Sequence, residues 1–447
     1  MNNHRTQLCF ALSLVVILLP LHARADGLTL PGAFARAVRN HPNLLQGQAK
    51  LASAAAQIDV ARNGFFPTAT IDANNQEITP NRAPRVGAAV VPNQVPPTLI
   101  LTPNRYWSAS ITAKWNAWDF GRTFAQLDVA QSAADAAAAD LRSAKVQLWW
   151  TVAAAYVTVF ANDAALSVVQ AGRDQIARQR DITKQRVDAR IRPELDWLKS
   201  EADLAAAEGD LLRAEEVARA SRVALAAAMG EAQLPQGGLA AAVFESSALP
   251  TDLASAGAIE PLLATALERR PEFSAFRARI AAQNAAVIAA QRAIRPNVYI
   301  NSTVSEAGLE LSNLIFNYGF TIGISFPLST LWTQKPLIAD AQAQVRAIEA
   351  TRDVQVINLR ASLNNAATAL VQARKRATSV AAQIKYAQAA RDAAIARYTA
   401  GVGLQLEMAD AETVLLRAQL AQVQWEVDLA FAAAQLLWQI GVLPENP

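Results

Sequence analysis

The chain has 447 residues, enough for two or three domains, and a formal charge of only +3 at pH 7. A near-balanced charge without a basic stripe excludes nucleic acid as its main partner. A single cysteine allows no internal disulfide framework.

The first 25 residues have the form of a secretory leader. Arg5 supplies a positive start, Leu8 to Leu21 is an almost unbroken apolar run, and Ala23-Arg24-Ala25 is a small-x-small cleavage site. Cleavage after Ala25 would leave Asp26 first and remove His4, Cys9 and His22. The remaining His41 sits beside Pro42 at a helix start and reads as a surface residue rather than a catalytic base. No nucleophile motif stands out, so the chain is expected to be neither an enzyme nor the holder of a cofactor or metal. After residue 30 no apolar stretch looks long and pure enough for a transmembrane helix. A membrane crossing would then have to be a β-barrel.

Beyond the leader the chain is written twice, as repeat 1 (26–258) and repeat 2 (259–447). AVRNHPNL (37–44) matches ALERRPEF (266–273) at an offset of 229, and 185–230 matches 396–441 without a gap at an offset of 211. In repeat 1, a helix over 42–66 leads to a strand at 68–76. A loop with six prolines (79–103) follows, then a second strand at 107–117. In that strand Trp107, Ala109, Ile111, Ala113, Trp115 and Ala117 share one face, while Ser108, Ser110, Thr112, Lys114 and Asn116 share the other. A proline-free, Ala- and Gln-rich stretch then predicts a long helix over 121–189, a turn at 189–195 and a helix over 194–230. Repeat 2 predicts a helix at 271–295, strands at 298–306 and 316–326, a long helix at 332–398 and a last helix at 405–441.

The strand FNYGFTIGISF (316–326) alternates strictly between large apolar and small polar residues. Such a strand fits either a soluble sheet with one buried face or a barrel wall. Four strands cannot close a barrel, so a membrane reading requires several chains. In the last helix Leu406, Ala409, Thr413, Leu416, Leu420, Val423 and Val427 recur at alternating spacings of three and four, a coiled-coil seam.

RYTAGVGLQLEMADAETVLLRAQLAQVQ (397–424), closing in LLWQIG (436–441), resembles the signature of the TolC-type outer-membrane efflux protein family, the outer membrane factors. The resemblance implies a mainly α fold with a small β membrane part. Long antiparallel coiled-coil helices would form a trimeric α-barrel, and four strands per protomer would form a 12-stranded β-barrel. Segments 231–258 and 442–447 would form an equatorial collar. The implied function is a passive exit channel of a tripartite efflux pump, lying in outer-membrane lipid and extending into the periplasm. Its partners would be a periplasmic adaptor (membrane fusion protein) and an inner-membrane transporter. The exit duct of a type I protein secretion system, or a surface coiled-coil structural protein, are the competing readings.

By position, the family's acidic periplasmic gate falls on Glu407 and Asp410. Adaptor contact falls on the helical tips: Arg186, Arg190 and Arg192 in repeat 1, and Arg397, Tyr398, Gly401 and Gly403 in repeat 2. Gly401 and Gly403 are both expected to supply the positive φ of a tight turn. Arg190 stands where repeat 2 has Gly401, which departs from the family pattern.

Overall fold

The computed structural model describes residues 27–77, 105–233, 238–240 and 259–441. The expected leader, the proline-rich 79–103 segment, most of 231–258 and all of 442–447 lie outside the described residues.

In chain order the elements are α1 (Leu30–Asn40), α2 (Pro42–Arg62), a short 3₁₀ turn (Asn63–Phe65), β1 (Thr68–Glu77), β2 (Arg105–Trp118), α3 (Arg122–Asp188) and α4 (Glu194–Ala228). The second series is α5 (Ile259–Arg269), α6 (Pro271–Arg292), β3 (Asn297–Gly308), β4 (Ile315–Ser325), α7 (Thr330–Thr399) and α8 (Gln405–Ile440). The fold is thus mainly α, with one four-stranded antiparallel sheet of order β1-β2-β3-β4 among the described residues. The short helices α1 and α5 were not predicted from the sequence. They are copies of one another: Ala33 and Ala37 of α1, and Leu262 and Ala266 of α5, are buried at positions 229 apart.

Residues 1–50, 138–275 and 351–447 form one compact unit, and 51–137 with 276–350 form another. The core of the first gathers on Tyr156. Around it Leu44, Trp149, Val152, Leu225 and Met229 are buried. Two glycines close this core in the same way in both repeats. Gly230 (φ 73°) and Gly441 (φ 79°) follow α4 and α8 in the left-handed conformation, which costs other residues free energy. A Cβ on Gly230 would lie 2.9 Å from His41 Cα, and one on Gly441 would lie 3.0 Å from Arg270 Cγ. His41 and Arg270 are the residues that precede the two matched prolines. His41, expected on the surface, is half-buried, and its Nδ1 accepts from the Asn43 amide at the start of α2.

The second unit holds the sheet, and its register sorts most side chains by polarity, although Asn75, Glu77, Ser302 and Glu306 fall on the otherwise apolar face. Ile71 pairs with Ile111, Ile111 with Val304 and Val304 with Tyr318. Ala69, Ala73, Trp107, Trp115, Val298, Ile300, Phe316, Phe320, Ile322 and Ile324 fall on this same apolar face, as the period of two requires. The opposite face is Thr68, Thr70, Asp72, Asn74, Ser108, Ser110, Thr112, Lys114, Asn116, Asn301, Thr303, Asn317, Thr321 and their neighbours, almost all polar. One detail differs from the sequence expectation. A bulge between Asn116 and Trp118 leaves Ala117 unpaired and puts Trp118, not Ala117, on the apolar face opposite Val298.

Two further expectations are corrected. Along α8 the predicted seam is not the buried stripe throughout. Leu406 and Thr413 are exposed, whereas Met408 and Leu436 are fully buried. The helix packs on more than one neighbour, so a single heptad stripe does not describe it. In addition, α3 contains an 18-residue stretch apolar and long enough to cross a membrane by composition. The sequence reading found none. The stretch belongs to a 67-residue helix that also carries Trp149, Val152 and Tyr156 into the core.

Candidate gate at the helical tips

The ends of the α3–α4 and α7–α8 hairpins, both in the first unit, carry the predicted site residues. Their turns are built alike. The amides of Ile191 and Arg192 donate to the carbonyl of Arg186, and those of Val402 and Gly403 donate to the carbonyl of Arg397, 211 residues on. Satisfying one helix-end carbonyl twice forces the intervening residue into the left-handed region. Gly401 adopts φ 80° there and Arg190 adopts φ 59°. Repeat 1 therefore keeps the turn of repeat 2 without its glycine, at a strain of roughly 1 kcal/mol. Gly403 differs from expectation, because its φ is not positive. A Cβ there would lie 2.9 Å from the Tyr398 amide nitrogen, so this glycine provides space rather than backbone freedom.

Tyr398 is the centre of the site. It is 1% exposed, and the guanidinium groups of Arg186 and Arg192 lie 5.0 and 4.6 Å from its ring centroid. Both arginines also donate to its carbonyl oxygen, at 3.1 and 3.3 Å, and Arg192 donates to the Gly403 carbonyl at 3.0 Å. The Tyr398 hydroxyl is 3.4 Å from that of Thr183, which is fully buried. Two cations of repeat 1 thus clamp an aromatic ring and the turn of repeat 2, combining cation–π attraction with charge-assisted hydrogen bonds. Arg190, by contrast, is exposed and makes no ion pair among the described residues. Exposed Ile191, Leu195, Val402 and Leu404 surround it on the tips.

The two predicted gate carboxylates do not behave as a pair. Glu407 lies 3.6 Å from Arg397 Nε, whereas Asp410 makes no ion pair among the described residues. Asp410 lines a cavity of about 400 Å³ above the tips, together with Arg180, Lys199, Asp203, Gln405 and Glu412. The sequence reading missed this cavity. Buried oxygens of Asp203, Gln405 and Glu412 have no hydrogen-bond partner there. Burial holds the Glu412 carboxyl above the ordinary range, and the nearby Asp203 charge adds to the effect; a hydrogen bond with Gln175 and the charge of Arg391 act against it. Its repeat partner Glu201 is instead satisfied by Arg180 at 2.9 Å. The signal was present in the repeat, since Glu201 and Glu412 align, but the different surroundings of the two are not visible in one dimension.

With this geometry in view, the comparisons with known proteins agree with one another. The family model for outer membrane efflux proteins matches residues 34–231 and 262–442, one match per repeat. Protein CyaE of Bordetella pertussis is 27% identical over 437 residues, covering 94% of this chain and 85% of its own. Among solved structures, the outer membrane protein VceC of Vibrio cholerae superposes with a TM-score of 0.74 at 20% identity, over 92% of this chain and 96% of its own. The open state of the MtrE outer membrane channel of Neisseria gonorrhoeae does so with a TM-score of 0.70 at 19% identity, over 99% and 98%.

Proposed function

From the premise that this chain belongs to the outer membrane efflux protein family, and so is an outer-membrane efflux channel reaching into the periplasm, we propose that it works as a homotrimer and as a passive duct. Three sheets of four strands would close a 12-stranded barrel with no free edge, which lipid requires. The apolar face would meet lipid and the polar face would line water. The observation that carries this reading is the register of the sheet. Phe316, Tyr318, Phe320, Ile322 and Ile324 all stand more than half exposed on the apolar face, while the opposite face is polar. A soluble sheet needs one face against a core, and here neither face has one.

The tips would meet a periplasmic adaptor and, through it, an inner-membrane transporter that supplies the energy. The clamp on Tyr398 supports a closed resting mouth, because it ties the two hairpins of one chain together. Opening would release Arg186 and Arg192 from the ring. Glu407 and Asp410 would give the mouth its cation preference, with Glu407 partly neutralised by Arg397 until the tip moves. No catalysis is involved.

The reading is tested by the oligomeric mass of the detergent-extracted protein and by its conductance in planar bilayers. A trimer with small, cation-preferring openings is expected. A soluble monomer without conductance would overturn it and leave a surface coiled coil.

A further inference from the structure

Among the described residues, the polar face of the sheet carries two charged side chains, Asp72 on β1 and Lys114 on β2. Every other polar-face position on β1–β4 is Ser, Thr, Asn, Gln, Gly, Tyr or a small or apolar residue at a strand end. Lys114 pairs across the sheet with Thr68 on one side and Asn301 on the other, and Asp72 pairs with Ser110. Neither charge makes an ion pair among the described residues, and both are exposed. They do not neutralise one another either. Four residues separate Thr68, the partner of Lys114, from Asp72, about 13 Å along the strand at the usual rise. That exceeds the Debye length of about 8 Å at physiological ionic strength.

We propose that Lys114 and Asp72 give the pore a lining with two charged levels. Lys114 attracts anionic groups of a passing solute near the end of the sheet where the strands join the helices, and Asp72 attracts cationic groups further out. This rests on the reading that the polar face lines the water-filled lumen. In a trimer each level would contain three like charges, set by the register and independent of the acidic residues at the helical tips. A solute carrying both signs of charge meets them in turn, whereas a purely anionic or cationic solute is favoured at one level and disfavoured at the other.

The test uses thiols as local probes of potential in the full-length protein, reconstituted in lipid nanodiscs. Thr68→Cys stands beside Lys114, and Asn74→Cys stands two residues from Asp72. A thiol about 7 Å from one unit charge in water sees the concentration of a charged reagent change roughly threefold, so the anionic-to-cationic rate ratio changes roughly sevenfold. With small anionic and cationic thiosulfonates in about 10 mM salt, where the Debye length is about 30 Å, Thr68→Cys should favour the anionic reagent. Lys114→Gln should abolish that bias, whereas Asp72→Asn, whose charge lies about 13 Å away and still acts weakly at this salt, should slightly increase it. Asn74→Cys should favour the cationic reagent, and there Asp72→Asn should be the change that matters. Both biases should vanish in 1 M salt.

Rate ratios at Thr68→Cys that ignore Lys114→Gln would overturn the proposal while leaving the channel intact. Ile71→Cys, on the apolar face, keeps the two readings apart. If water-soluble reagents label it as fast as Thr68→Cys, the lumen assignment fails and takes the proposal with it.

Discussion

At the scale of single residues, three positions make sharp claims. Arg190 holds a left-handed φ that repeat 2 gives to a glycine. Arg190→Gly should remove strain but add freedom to the unfolded chain, for a net gain of up to about 1 kcal/mol. Gly401→Ala should cost about 1 kcal/mol although its Cβ would meet no atom within 4 Å. Chemical denaturation of the extracted protein would show both, and a destabilised Arg190→Gly would count against strain at this turn. Tyr156 is buried, and its hydroxyl lies 2.7 and 2.5 Å from the carbonyl oxygens of Leu28 and Ala240, next to the parallel bridge between Leu28 and Leu239. Burial pushes its pKa to about 12. The folded value is raised, so the stabilisation is complete below pH 10 and is lost as the pH rises through about 12. Tyr156→Phe should cost about 1–2 kcal/mol at neutral pH. Glu412 is also raised, so the stability it contributes is full below pH 4.5 and falls as the pH climbs through its folded value. Glu412→Gln should therefore raise the melting temperature at pH 7 relative to wild type, with the difference shrinking below pH 4.5. An equal difference at both pH values would show that the carboxyl is not held up by its burial.

At the scale of elements, the sheet makes the strongest claim, because adjacent residues have opposite environments. Phe320→Lys, near the middle of β4 on the apolar face, should destabilise the inserted barrel by about 2–4 kcal/mol and reduce the yield of membrane-embedded protein. Thr321→Lys, one residue on, should be tolerated. Similar yields for the two would mean that the face assignment is wrong. Helix packing depends on small residues in the same way. A Cβ on Gly172 of α3 would lie 3.0 Å from Leu416 Cδ1 of α8, and one on Gly47 of α2 would lie 2.8 Å from Leu141 Cδ1 of α3. The helices approach closely because these positions lack side chains, which is why an alanine-rich sequence with few large core residues still packs. This was partly legible beforehand. The ranges of the long helices followed from an absence of proline and a high helix propensity. The buried stripe of α8 did not, because a helix with several neighbours has several partly apolar stripes and the sequence does not rank them.

At the scale of the whole molecule, the clamp and the acidic residues make separable predictions. Tyr398→Ala removes a buried ring and both cation–π contacts, and should raise single-channel conductance by releasing the tips. Glu407→Gln with Asp410→Asn should lower cation preference in planar bilayers with little effect on oligomeric mass. An unchanged reversal potential would remove both residues from the gate. The proposed gate was only half legible in the sequence. Glu407 and Asp410 were named as candidates from their position in a motif, as were the arginines. That Arg186 and Arg192 both act on Tyr398, some 206–212 residues away, could not be read from spacing.

The sequence by itself determined what depends on local periodicity. Period two fixed which residues share each face of a strand outside the bulge, proline and alanine content fixed where the long helices run, and two matched offsets fixed the repeat. These are properties of a chain with its neighbours along the chain, so one dimension is enough to contain them. Tertiary structure alone decided what depends on who sits opposite. It put Trp118 on the apolar face through a bulge, gave Gly403 a spatial role in place of a conformational one, and left Glu412 short of donors where its repeat partner Glu201 is satisfied. It also placed Lys114 and Asp72 on one face with no ion-pair partner among the described residues. Coulombic and packing energies depend on distances through space, and those are set only when segments far apart in sequence meet.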